Sequence, residues 1–142
     1  MDEPLLLDTH VWVWALERTA GRMRDDVFDE IDRAALGSGV LVSAVSAWEL
    51  ALLVRKGRLA LGRDLRAWIA ASREAPGVRI VPLELEAALE SVALPGLDDH
   101  ADPADRFLLA TARTLGARLV TCDERLLRYG ATGHALMLDA RP

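Results

Sequence analysis

Four carboxylates far apart along the chain stand at comparable local positions. Asp8 follows the apolar run Leu5-Leu6-Leu7, and Asp123 lies just past Arg118-Leu119-Val120-Thr121. Short continuous apolar runs of this kind read as strands buried in a parallel sheet. Glu49 falls near the start of an apolar helical stretch, Ser46 to Lys56, and Asp105 follows Asp102-Pro103 at the start of another that runs to Leu115. In open α/β sheets ligands bind outside the carboxyl ends of the strands. Strand ends and first helical turns at one edge can therefore converge on one crevice, and Thr9 would bring a hydroxyl there. If they converge, carboxylates about 4 Å apart repel by roughly 4 kcal/mol per pair at an effective dielectric near 20. Such a cluster holds protons or takes up cations. An all-oxygen donor set suits Mg2+ or Mn2+, which bind a few carboxylates and keep waters for a phosphate substrate. His10 and His100 flank the acids, but no His/Cys spacing of a zinc site is present.

Each acid also has a local reading. Ser46-x-x-Glu49 matches a capping box, in which the glutamate returns a hydrogen bond to the cap residue. Asp102-Pro103-Ala104-Asp105 has an N-cap, a proline at the first helical position and an acid favoured by the helix dipole. Asp8 and Asp123 can cap the helices that follow them. Taken singly, each acid fits a cap better than a ligand, and Asp102 is read as a cap throughout.

The elements that would position these groups alternate in type. Strands are predicted at Leu5–Leu7, Val40–Val42, Val78–Leu83 and Arg118–Thr121, with a last edge strand at Ala135–Leu138. Helices are predicted at 11–17, 24–36, 46–56, 65–75, 85–92, 102–115 and 124–129. Gly37-Ser38-Gly39, Gly57, Pro76-Gly77, Pro95-Gly96 and Gly116 supply the breaks, and Asp98-Asp99-His100-Ala101 is a polar loop. Crossovers of this length allow parallel pairing. The expected architecture is an α/β sandwich around a central, mostly parallel sheet.

At 142 residues, 51% hydrophobic and 27% charged, the chain fits one globular domain, residues 1–142, with a core large enough to need no disulfide. The single cysteine, Cys122, is expected to be a buried free thiol in a reducing compartment. No run has the length of a membrane helix and no basic-then-apolar leader is visible, so the expected location is the cytoplasm, with no membrane partner. The formal charge of −5 does not advertise nucleic-acid binding, but its distribution is uneven. Between Arg55 and Arg79 there are seven basic residues against two acidic ones. That stripe is either a solvated helix face or a phosphate-binding surface.

Four ordered motifs carry a resemblance. Leu7-Asp8-Thr9-His10-Val11-Trp12, Ser43-x-x-Ser46-x-Trp48-Glu49-Leu50, His100-x-Asp102-Pro103-x-Asp105-Arg106 and Leu119-Val120-Thr121-x-Asp123 resemble the motifs of the PIN-domain family. More narrowly they resemble the VapC-like toxin ribonucleases of type II toxin–antitoxin pairs. The resemblance covers residues 5 to 139 or so and implies a three-layer α/β/α sandwich and a metal-dependent endoribonuclease. It makes Asp8, Glu49, Asp105 and Asp123 the acids that hold Mg2+ or Mn2+, Asp123 either directly or through water, with Thr9 as the adjacent hydroxyl. It further implies an RNA substrate, a homodimer, and a cognate antitoxin whose tail occupies the active-site groove.

On that reading Arg55, Lys56, Arg58, Arg63 and Arg66 are candidates to grip the RNA backbone, giving affinity without sequence choice. Trp48 and Trp68 could stack on unpaired bases. Tryptophans at helical spacing are more often core, which is the expectation for these two and for Trp12 and Trp14. Two other functions compete: a catalytically silent PIN-like binding module, and a phosphohydrolase with a nucleophilic Asp8. The second would want an acid or base two residues on, where His10 stands.

Overall fold

The computed structural model describes residues 3–97 and 102–142. Five parallel strands, β1 (Leu5–Leu7), β2 (Val40–Ser43), β3 (Val78–Val81), β4 (Arg118–Thr121) and β5 (Leu136–Asp139), form one sheet in the order β3-β2-β1-β4-β5. β1 sits in the middle, with Leu6 beside Leu41 of β2 on one side and Leu119 of β4 on the other. Because every strand is parallel, all the carboxyl ends lie along the same edge. The order reverses between β1 and β4, where a parallel sheet opens a crevice for ligands.

Alternate strand residues face opposite ways, and the core divides accordingly. Leu5, Leu7, Val40, Val42 and Val120 face helices α1 (Thr9–Glu17), α2 (Asp25–Ala35), α3 (Ala44–Arg55) and α4 (Leu65–Glu74). Leu6, Leu41 and Leu119 face α5 (Leu85–Glu90), α6 (Pro103–Leu115) and α7 (Glu124–Gly130). The result is the expected three-layer α/β/α sandwich. Strands buried on both faces explain the unbroken apolar runs at 5–7 and 40–42. On the first face Trp12 and Trp68 meet edge to face at 5.0 Å. Their indole N–H groups donate to Ser72 Oγ (2.7 Å) and Glu17 Oε2 (3.1 Å), so both tryptophans are core as expected.

The predicted elements are all present, with shifted ends. The largest correction is at α3. The hydroxyl of Ser43, the last residue of β2, accepts from Val45 N at 3.0 Å and starts the helix at Ala44. Ser46 is therefore inside the helix and no capping box forms. It is fully buried, and its hydroxyl has no partner among the described residues. Glu49 is accordingly in the second turn of α3, not the first. The loop 98–101, with His100, lies outside the described residues.

Candidate metal-dependent active site

Each acid reaches the carboxyl edge by a local device. Asp8 leaves β1 and caps α1, its Oδ1 accepting from Val11 N at 2.9 Å. Asp123 leaves β4 and caps α7, accepting from Arg125 N (2.8 Å) and Leu126 N (3.1 Å). Asp102 caps α6 through Ala104 N at 3.0 Å, and Pro103 opens that helix. Asp105 follows in the first turn of α6. Glu49 projects from α3. The cap readings are thus correct for Asp8, Asp102 and Asp123, and capping turns out to be the means by which these acids are aimed.

Asp8, Thr9, Glu49, Asp105 and Asp123 all line one cavity of about 450 Å³, together with Asp102, His10, Trp14, Leu108, Cys122, Arg125 and Leu126. The four acids and the threonine singled out above are therefore neighbours. A hydrogen-bonded chain orders its floor: Asp123 N–H donates to Thr121 Oγ1 at 3.0 Å, and Thr121 Oγ1 donates to Asp8 Oδ2. Thr9 Oγ1 donates to Glu49 Oε1. Thr121 is fully buried and its role is absent from the sequence reading, although it stands in the fourth motif. Its signal was a hydroxyl as the last residue of a strand, the place Ser43 holds in β2.

Electrostatically the site is loaded. Burial pushes the Asp8 carboxyl up from 3.8 to about 6, against the lowering effect of its hydrogen bonds from Thr121 and Val11 and the attraction of His10; Glu49 adds a further upward push. Cys122, half-buried instead of fully buried, is a free thiol as expected. Burial and then the Asp8 charge raise it to about 11, so it stays protonated and unreactive at neutral pH.

The donor set fits a hard divalent cation. It is all carboxylate and hydroxyl oxygen, and the most shielded acid is destabilised as an anion. Among the described residues no three His, Cys, Asp or Glu side chains converge tightly enough to hold a cation as they stand. Asp8 and Glu49 instead turn an oxygen to Thr121 and Thr9. An octahedral ion that keeps several waters needs only one or two direct carboxylates, and carboxylate oxygen is the donor type this cavity offers.

The residues proposed for recognition stand in different settings. Arg55, Lys56, Arg58, Arg63 and Arg66 are exposed at the end of α3 and along the approach to and start of α4. None forms an ion pair with a described residue. Trp48 is not core: it is 57% exposed. With Ala44, Val45, Pro103, Ala104 and Phe107 it lines an apolar hollow of about 310 Å³ between α3 and α6. Helical periodicity located an apolar stripe but not which side of it faces the sheet.

Fold, strand order and acidic crevice together define a PIN domain, and the PIN domain pattern matches residues 5–131 of this chain. The chain belongs to the PIN-domain family. Over 124 residues it is 36% identical to Ribonuclease VapC22 of Mycobacterium tuberculosis, spanning 86% of this chain and 88% of that one. Among solved structures, a chain of the VapBC2 complex from Rickettsia felis bound to a promoter DNA fragment superposes with a TM-score of 0.72 at 14% identity, covering 96% of this chain and 98% of that one. A chain of FitAcB from Neisseria gonorrhoeae gives 0.65 at 22% identity, with 95% and 96% covered. Mycobacterium tuberculosis VapC20, a Sarcin-Ricin loop cleaving toxin, gives 0.60 at 20% identity, with 97% and 99% covered. At these identities the structural likeness is one of fold.

Proposed function

We propose that this chain is a divalent-metal-dependent endoribonuclease, the toxin of a toxin–antitoxin pair, acting in the cytoplasm as a single PIN domain. The observation that carries the reading is the gathering of Asp8, Glu49, Asp105 and Asp123 around one cavity at the point where the sheet order reverses. The 36% identity to a VapC ribonuclease supports the same class.

In this reading Asp8, Glu49 and Asp105 hold Mg2+ or Mn2+, and Asp123 completes the set directly or through water. When bound, such an ion lowers the pKa of a water and stabilises the attacking and leaving oxygens of an in-line displacement at phosphorus. The protein groups do the positioning. Thr121 fixes Asp8 while the α1 amide of Val11 holds its other oxygen. Thr9 orients Glu49. Asp123, tied to the start of α7, is held at the rim. Arg55, Lys56, Arg58, Arg63 and Arg66 grip flanking phosphates; Lys56 is the C-cap of the helix that carries Glu49. The exposed Trp48 hollow beside the site supports an assembled state, a homodimer closed by an antitoxin, since exposed aromatic surface at a groove marks an interaction face.

Mapping the 5′ ends of RNAs cut when the chain is expressed, with Asp8→Asn as the comparison, tests the function. New ends that appear only with the wild-type chain support it. Identical end profiles for both proteins would leave the fold as a binding module.

A further inference from the structure

Arg125 stands on the wall of the carboxylate cavity with its guanidinium uncommitted. It makes no hydrogen bond or ion pair with a described residue. Several other arginines of the chain are paired: Arg18 with Asp32 at 2.7 Å, Arg24 with Asp26 at 3.0 Å, Arg113 with Glu90 at 3.0 Å and Arg141 with Asp139 at 2.7 Å. Arg125 lies among acids and pairs with none of the described ones. The reason is local. Asp123, its neighbour in sequence, is turned back onto the amides of Arg125 and Leu126. The backbone beneath Arg125 is nevertheless held firmly. Leu126 and Tyr129 are buried in the second core cluster, and the Tyr129 hydroxyl donates to Pro95 O at 2.8 Å. An exposed arginine with no partner among the described residues is thus carried on a fixed base at the wall of a pocket whose other charged walls are mostly anionic.

An anionic phosphodiester entering that pocket meets Asp8, Glu49, Asp102, Asp105 and Asp123. A guanidinium offers parallel N–H donors that match two phosphate oxygens. We propose that Arg125 contacts the substrate directly, donating to the non-bridging oxygens of the phosphodiester seated in the cavity. This rests on the nuclease reading above. Arg125 transfers no proton: one P–O bond forms and another breaks while the guanidinium only donates hydrogen bonds. It comes from the α5–α7 side of the sheet, whereas the basic residues at 55–66 belong to the α3–α4 side. The strand would therefore be held from both helical layers across the cavity.

The test has two readouts. In the first, a short single-stranded RNA of mixed sequence is bound to the Asp8→Asn protein in constant Mg2+ at several salt concentrations. Adding Arg125→Ala should lower the slope of log affinity against log salt by about 0.7, one phosphate contact on a single strand. Arg125→Lys should restore most of it, and Arg33→Ala, at the opposite edge of the sheet, should change nothing. In the second, Arg125→Ala in the otherwise wild-type chain should lower kcat by about a hundredfold on an RNA found by end mapping, the scale for one donor aimed at developing charge. Its melting temperature should not move. An unchanged slope or an unchanged kcat overturns the proposal. If the wild-type chain cuts no RNA, the nuclease reading fails, and the slope alone still decides whether Arg125 meets a phosphate.

Discussion

The two edges of the sheet handle charge in opposite ways. At the amino edge, acids and bases neutralise one another. Arg118 lies 3.5 Å from Glu30 beside a cavity of about 1050 Å³ that Glu3 and Arg33 also line, and Arg113 lies 3.0 Å from Glu90 beside another. At the carboxyl edge five carboxylates line a smaller cavity, with His10 and Arg125 beside them. Volume alone would select the wrong edge. Charge of mixed sign is what a solvated protein surface ordinarily carries, whereas an excess of one sign, partly buried, has a free-energy cost that protonation or a bound cation offsets.

The largest expected consequence is at Asp8. Asparagine there keeps the N-cap, since the two residues cap equally well, and removes only the charge. Cleavage should fall by about a thousandfold or more, the scale for losing a group that acts on transition-state charge. Stability should move the other way. The folded-state pKa is raised from 3.8 to about 6, so the folded chain binds more protons than the unfolded chain between those values. Metal-free wild-type protein should therefore lose stability as pH rises from 4 toward 6, by at most roughly 3 kcal/mol. Asp8→Asn should lack that loss and melt higher at pH 7. Thermal melts across pH in chelator check this; a lower melting temperature for Asp8→Asn at pH 7 would contradict it.

That pairing of lost activity with gained stability is invisible in the sequence, although much else is legible. The strands at 5–7 and 118–121 and the caps at Asp8, Asp102 and Asp123 could be read because apolar runs and N-caps are local signals. Convergence of the acids could not, because it depends on β1 lying between β2 and β4 and on the packing of α3 against α1 and α6. The capping-box pattern puts the start of α3 at Ser46, but the hydroxyl of Ser43 caps the helix instead. The strand's last residue prevailed, which moved Glu49 one turn deeper. Trp48 was misjudged for a related reason: the α3 apolar stripe is wide, and only packing decides which part of it is covered.

The next effect concerns the hydroxyls beneath the acids. Thr121→Val removes the donor to Asp8 and the acceptor for Asp123 N. Activity should drop by about ten- to a hundredfold, typical of removing a group that orients a metal ligand. Because that hydrogen bond lowers the Asp8 pKa, its loss should raise it further, steepening the fall in metal-free stability above pH 4. Thermal melts across pH read this separately from activity, and an unaltered pH dependence would show that Thr121 does not touch Asp8 in solution.

Smaller still is the basic stretch. Reversing charge at Arg63 and Arg66 should weaken RNA binding and reduce its salt slope by about 0.7 per lost contact while sparing kcat at saturation. An unchanged slope would place RNA on another face. The smallest effect belongs to the amino edge. Arg118→Ala breaks a half-exposed ion pair and should cost under about 1 kcal/mol with no loss of cleavage. A large catalytic defect there would erase the distinction between the edges.

The claim that unites these expectations is that the carboxyl-edge acids form a cation site. Calorimetric titration of Mn2+ into the wild-type and Asp8→Asn proteins measures it directly. We expect saturable binding to the wild-type chain and its loss in the variant. No heat with either protein, or equal binding by both, would contradict the account.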